Sequence, residues 1–102
     1  MSSGNSQGID KKPAGLPAAA RPYKRTPVFT QDTVPAGLLK DHSTKQGVWG
    51  VITVISGRLQ YCVASTGEEA ILSPEQSGLV EPMVAHHVKP LGDVTFTIEF
   101  WR

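Results

Sequence analysis

The sequence predicts an all-β fold, a small sandwich or barrel, on two observations. From Tyr23 onward, short β-prone segments recur about every ten residues and are separated by turn-forming residues. No segment has the apolar period of a long amphipathic helix. Residues 1–22 differ, because they contain three glycines and three prolines but no aromatic residue. We therefore predict a flexible tail over residues 1–22 and one folded domain over residues 23–102.

The first clear strand is predicted from Val48 to Ile55, a nearly continuous apolar run rich in β-branched residues. Such a run is typical of a strand that is buried on both faces. Ser56 and Gly57 then provide a tight turn. From Arg58 to Ala64 the pattern alternates, with Leu59, Tyr61 and Val63 in one phase. We therefore predict a hairpin of two adjacent strands with one face toward the core.

The rest of the chain contains shorter strand segments. Ser65 to Glu68 forms the next turn, and Ser73 to Gly78 forms a polar loop. Pro82 cannot donate a backbone hydrogen bond, so it belongs at a strand edge or bend. In the last segment, Phe96, Ile98 and Phe100 alternate with polar residues. The predicted strands are Glu69 to Leu72, Leu79 to Val80, Ala85 to Lys89 and Val94 to Trp101.

Composition excludes several classes of function. Ten Lys and Arg residues balance nine Asp and Glu residues, without a basic run, so we expect neither nucleic-acid nor membrane binding. The single cysteine, Cys62, rules out an internal disulfide and a Cys-x-x-Cys motif. No apolar run has the length of a signal peptide core or a membrane span. These features predict a cytoplasmic location.

The histidines, His42, His86 and His87, are the residues most suited to chemistry. Imidazole is a common transition-metal ligand and titrates near neutral pH. Adjacent strand residues point to opposite faces, so only one of His86 and His87 is expected to point inward unless a bulge intervenes. The inward residue and His42 would then meet inside one barrel, which predicts a site there.

Several motifs in one order resemble the tellurite-resistance-associated cupin-like family. The similarity extends over almost all of residues 23–102. The motifs are Tyr23-Lys24-Arg25-Thr26-Pro27, Val34-Pro35-Ala36-Gly37-Leu38-Leu39, Asp41-His42-x-Thr44-Lys45-x-Gly47-Val48-Trp49-Gly50, Gly57-Arg58-Leu59-x-Tyr61, Val80-Glu81-Pro82-x-Val84-x-His86-x-Val88 and Glu99-Phe100-Trp101-Arg102.

The resemblance implies a small cupin-like jelly-roll barrel and an association with tellurite and related stress. It implies no assigned reaction. The family includes stand-alone bacterial proteins and the N-terminal domain of some tellurite-resistance methyltransferases. These 102 residues contain no Gly-rich strand-to-helix loop, so we expect no nucleotide cofactor and no methyl transfer from them alone.

The resemblance also suggests a metal site and marks where it is incomplete. Metal-binding cupins usually have two histidines and a glutamate in the first motif, whereas here Thr44 and Gly50 fall near two of those positions. The family spacing favours His86 as the inward histidine, opposite His42. Glu99, on the face of its strand opposite Phe96, is the predicted third ligand, with Glu81 as the alternative. Such a set suits a divalent transition metal such as zinc, iron, manganese or nickel.

Three other residues are candidates for ligand binding. Arg58 and Tyr61 follow the central turn and are placed to orient an anion or carboxylate. Trp49 is placed to form the wall of a pocket. Each has a structural alternative, since such an arginine is usually solvated and such aromatic residues usually pack in a core.

Three functional classes remain open from the sequence. The first is a binding or sensing domain for a small molecule or anion, and the sparse first motif favours it. The second is a small metal-dependent enzyme that acts on a low-mass polar substrate, and the third is a protein-interaction domain. Because small barrels have exposed strand edges, we also predict a homodimer.

Overall fold

The computed structural model describes residues 15–102, and over these residues the all-β prediction is confirmed. The strands form two antiparallel sheets, and a 3-10 helix at Ala36–Leu39 precedes β3. None of the helices in this part of the chain is long and apolar enough to cross a membrane. The strands are β1 Pro22–Arg25, β2 Phe29–Thr30, β3 Trp49–Ser56, β4 Leu59–Val63, β5 Glu69–Leu72, β6 Gly78–Val80, β7 His86–Pro90 and β8 Thr95–Trp101.

The larger sheet has five strands and is built around β8. Its order is β1-β8-β3-β6, and β2 pairs with the same edge of β8 as β1 does, further along that strand. β3 and β8 pair along their whole length, from Trp49 opposite Trp101 to Ser56 opposite Thr95. The smaller sheet has the order β5-β4-β7.

The predicted hairpin of β3 and β4 is wrong, although both strands exist. β3 pairs with β6 and β8, whereas β4 pairs with β5 and β7, so the two strands lie in different sheets. Gly57 makes this crossing possible, because it adopts a positive φ of 82° and a Cβ at this position would overlap the Asp93 carbonyl oxygen. Ser56 and Gly57 therefore connect a strand of one sheet to a strand of the other, and do not form a hairpin turn.

The main core lies between the two sheets. Phe96 and Leu59 are fully buried there, and Ile52, Leu72 and Val88 pack with them. These residues come from both sheets, and their inward spacing is the alternation visible in the sequence. Burying this apolar surface is the main driving force for folding.

A second, smaller cluster covers the outer face of the larger sheet. Trp101, Val51 and Ala20 are buried in it, and Leu16 packs against them. The folded unit therefore includes residues on the N-terminal side of the predicted boundary at Tyr23. The rest of the predicted tail, residues 1–14, lies outside the described part of the chain.

The two sheets are not closed into one hydrogen-bonded barrel. They remain separate, with five and three strands, within the described residues. The coarse prediction of a β-rich domain is therefore confirmed, while the closed jelly-roll barrel is not observed as such. An isolated β-bridge between His42 and His86 ties the loop before β3 to the start of β7.

Candidate functional site

His42 and His86 meet through both their backbones and their side chains. The His42 N–H donates to the His86 carbonyl at 2.9 Å, and the His86 N–H donates to the His42 carbonyl at 2.8 Å. Their rings are 4.2 Å apart between centroids, with an interplanar angle of 58°. The reciprocal backbone pairing therefore fixes two imidazoles side by side.

The hydrogen bonds of the two rings define which nitrogen atoms remain available. Nδ1 of His42 lies 2.9 Å from the Lys40 carbonyl oxygen, and Nδ1 of His86 lies 2.8 Å from that of Val84. A carbonyl oxygen only accepts, so each Nδ1 carries the hydrogen. Each Nε2 then has a lone pair in the neutral ring and an N–H in the charged ring.

His86 is held in an environment that favours its neutral form. It is only 3% exposed, and this burial lowers its pKa below the usual value of 6.5. The neighbouring His42 lowers the pKa further, whereas the Val84 carbonyl and the Asp41 carboxylate oppose the shift. The charge state of His86 therefore depends on its burial and on the charges beside it.

Both histidines line a cavity of 490 Å³ at one end of the space between the sheets, called here the histidine cavity. Strands of both sheets, the 3-10 helix and the loop before β3 form its walls. A cavity of this size accommodates a small molecule. The apolar part of the wall consists of Leu38, Val48, Ile52, Val80, Ile98 and Phe100.

The charged residues that line this cavity are all basic. Lys24, Lys45 and Arg102 line it, and no Asp or Glu is among its lining residues in the described chain. The Arg102 guanidinium carbon lies 3.9 Å from the centre of the Tyr23 ring, a cation–π contact. Cations gathered at one cavity create a local positive potential, although the whole chain has a formal charge of only +1.

These three basic residues were missed in the sequence because they lie far apart along it. The pairing of β1 with β8 brings Lys24 near Arg102, and the backbones of Arg21 and Arg102 exchange two hydrogen bonds. The signal available in the sequence was weak: Lys24, Lys45 and Arg102 all fall inside the family motifs. Motif membership alone does not show which side chains face a common cavity.

The predicted carboxylate ligands do not join the two histidines. Glu99 lies on the outer face of β8, where it accepts hydrogen bonds from Arg25 at 2.9 Å and from the Trp101 indole at 3.0 Å. Glu81, the alternative, is exposed and is not among the lining residues. His87 points away from His86 and bonds to Asp41 at 2.7 Å. Within residues 15–102, no three His, Cys, Asp or Glu side chains are placed together to hold a metal.

The two positions that depart from the metal-binding cupin pattern do lie at the cavity. Thr44 lines it, and the Thr44 hydroxyl donates to the Val48 carbonyl at 2.6 Å. Gly50 lines it from β3. The fold therefore places these positions where ligands would be useful, but the side chains here offer no strong metal donor.

The other predicted ligand-binding residues lie outside the cavity wall. Arg58 is exposed after the turn that follows β3. Trp49 packs on the outer face of the larger sheet with Trp101. Tyr61 is buried behind His86, with 5.6 Å between the ring centroids, and it lines a different cleft.

The fold and the site together define a small two-sheet β domain with a basic, histidine-bearing cavity between its sheets. Residues 24–98 match the family described as the TehB-like domain, and the chain belongs to this family. The sequence-based recognition of the tellurite-resistance-associated family is thereby confirmed.

Similar proteins are known from Haemophilus influenzae. Two strains have a protein named probable S-adenosyl-L-methionine-dependent methyltransferase TehB, and the chain is 40% and 38% identical to these over 76 residues. Each alignment covers 70% of this chain but only 27% of the relative. The chain thus spans about a quarter of the length of these relatives.

Two solved structures share the fold. The crystal structure of TehB from Haemophilus influenzae superposes with a TM-score of 0.74 at 35% identity, covering 80% of this chain and 31% of that one. A crystal structure of an Escherichia coli K12 protein gives a TM-score of 0.79 at 22% identity, covering 85% of this chain and 94% of the other. At that identity the second likeness concerns the fold alone.

Proposed function

We propose that this chain is a binding domain that holds a small anion in the histidine cavity, as part of a response to tellurite or related oxyanion stress. The observation that carries the proposal is the lining of the cavity. Lys24, Lys45 and Arg102 join two imidazoles there, with no carboxylate among the lining residues. The link to stress rests on the family.

The chemistry of the lining suits an anion that is partly withdrawn from water. Burial favours the neutral form of His86, and an anion bound beside the ring favours the protonated form. Once protonated, each ring donates through Nε2, because each Nδ1 is already committed to a backbone carbonyl. Hydrogen bonds between charged partners are shorter and stronger than neutral ones. Lys24, Lys45 and Arg102 raise the local concentration of anions and offset the charge of the one that binds.

We also propose that the two sheets are the halves of a small cupin-like jelly roll. The support is their antiparallel pairing, their common core and the cavity at one end between them. Small-molecule sites commonly occur in the mouths of such β-structures. The fold therefore provides a rigid frame for residues that come from loops and strand ends.

The test is isothermal titration calorimetry of the chain with sodium sulfate and sodium tellurite, against sodium chloride at equal ionic strength. We expect saturable binding of at least one oxyanion and a several-fold loss of affinity in Lys45→Ala. Lys89→Ala is the matched control, since Lys89 is an exposed lysine outside the cavity. The proposal is contradicted if neither oxyanion binds, or if Lys45→Ala and Lys89→Ala lose affinity equally.

A divalent transition metal bound by Nε2 of His42 and His86 is a second candidate, and it would support a small metal-dependent enzyme. The favouring observation is that both Nδ1 atoms donate to carbonyls, an arrangement typical of metal-ligating histidines. Two protein ligands are one fewer than catalytic zinc sites usually have. Elemental analysis of untagged protein and of His42→Ala and His86→Ala tests it, and metal lost in both variants would support it.

The predicted homodimer remains a prediction. Analytical ultracentrifugation at micromolar concentration tests it. The methyltransferase activity named for the Haemophilus relatives is not proposed for this domain, because the alignment covers only 27% of their length.

A further inference from the structure

Tyr61 is a buried residue whose hydroxyl has no hydrogen-bond partner among the described residues. The residue is 8% exposed, and its ring lies against His86. Within residues 15–102 no hydrogen bond reaches its hydroxyl. Leaving a buried hydroxyl without a partner costs free energy, so such a group points to a partner from outside the protein.

Tyr61 lines a cleft of 280 Å³, called here the tyrosine cleft. Glu68 and Glu81 are its charged residues, and no Lys, Arg or His of the described chain lines it. Its apolar lining consists of Val63, Leu79 and Val84. Tyr61 and Glu68 also line a second cleft, together with Glu69, and no basic residue of the described chain lines it. This charge is opposite to that of the histidine cavity on the other side of the Tyr61–His86 contact.

The electrostatics of Tyr61 keep it a neutral hydrogen-bonding group. Burial raises the pKa of its phenol above the usual value of 10.0, and the Glu81 carboxylate raises it further. The phenol oxygen therefore accepts a hydrogen bond as well as donating one at neutral pH. The same negative charge that keeps the proton on Tyr61 attracts a cation into the cleft.

We propose that the tyrosine cleft binds a small primary ammonium ion with a short alkyl chain. The ammonium group donates to the Glu81 and Glu68 carboxylates and to the Tyr61 hydroxyl oxygen. The alkyl chain packs against Val63, Leu79 and Val84, and the cation lies near an aromatic ring. A metal ion suits the cleft less well, since the described residues contain no group of three His, Cys, Asp or Glu side chains that could hold one.

The test is an NMR titration of the isotopically labelled chain with butylammonium chloride. We expect saturable shifts of the backbone amides around Glu68, Glu81 and Val84, with potassium chloride and butan-1-ol as the ionic and apolar controls. Glu81→Gln and Tyr61→Phe should each weaken binding about ten-fold, the effect of losing one charge-assisted hydrogen bond.

Glu75→Gln is the matched control, because Glu75 is an exposed glutamate outside the cleft. Removing an unsatisfied hydroxyl does not destabilise a core, so Tyr61→Phe should stay folded and remain a valid test. The proposal is overturned if butylammonium causes no shifts beyond those of the two controls. It is also overturned if Glu81→Gln and Tyr61→Phe bind as tightly as Glu75→Gln.

Discussion

His42 and His86 form a reciprocal backbone pair, exchanging hydrogen bonds of 2.9 and 2.8 Å, and their rings lie 4.2 Å apart between centroids. One residue precedes β3 and the other begins β7, so the contact joins distant parts of the chain. The pair forms part of the wall of a cavity whose charged residues are all basic. Four predictions follow from this site and from the fold around it.

The first prediction concerns stability and pH. The pKa of His86 is lowered by burial in the folded state, whereas the unfolded residue titrates near 6.5. Between these two values the unfolded state binds more protons, so the free energy of unfolding falls as the pH falls. The full stabilisation is present above about pH 6.5 and is lost toward the lowered pKa, with a slope of at most about 1.4 kcal/mol per pH unit.

Urea unfolding of the parent and of His86→Gln, measured between about pH 5 and pH 8, checks this. We expect the parent to lose stability on acidification more steeply than the variant. Equal slopes for the two proteins would show that His86 is not the group responsible.

The second prediction concerns anion affinity and rests on the proposed function. Nε2 donates to an anion only when the ring is protonated, so sulfate binding should weaken as the pH rises. Calorimetry with sulfate at about pH 5.5 and pH 8 measures this, since the charge of sulfate is constant over that range. In a His42→Gln and His86→Gln double variant the remaining affinity should be nearly independent of pH. If the affinity of that variant for sulfate depends on pH as that of the parent does, the histidines do not contribute to anion binding.

The third prediction concerns the crossing between the sheets. A methyl group at Gly57 would overlap the Asp93 carbonyl oxygen, and the positive φ of 82° is unfavourable for alanine. Gly57→Ala should therefore cost at least about 2 kcal/mol in the free energy of unfolding. Gly37→Ala is the control, because nothing lies within 4 Å of its added carbon. Chemical denaturation measures both, and similar stability of the two variants would be inconsistent with a constrained crossing at Gly57.

The fourth prediction concerns Cys62. Burial raises the pKa of its thiol, and the charges of Glu69 and Asp41 raise it further, while Lys89 acts in the opposite direction. Since the thiolate is the reactive form, modification by a disulfide reagent at neutral pH should be slow in the folded protein. In urea the rate of thiol modification should rise by orders of magnitude. The absorbance of the released product measures this rate. A fast reaction of the native protein would rule out this buried environment.

The sequence predicted six of the eight strands, β3 to β8, because strand-forming patterns are local properties. It missed β1 and β2, and β3 is exposed along part of the length that was predicted to be buried on both faces. Alternation along β8 placed Phe96 and Ile98 in the core, and the structure buries both. The family motifs likewise pointed to His86 rather than His87 as the inward histidine. The burial of Phe96 and Ile98 follows from the period of a strand, whereas the choice of His86 came from the resemblance to the family.

Pairing between strands was decided by the tertiary structure, because it depends on contacts between distant segments. The strands β3 and β4 are neighbours in the chain but lie in different sheets. Apolar side chains of both strands are buried in the common core, and this packing selects the arrangement. The pairing of β1 with β8 places Arg25 beside Glu99 and brings Lys24 and Arg102 to one cavity. The sequence alone therefore determined which side chains could bind a ligand or a metal. The long-range packing decided which of them share a site.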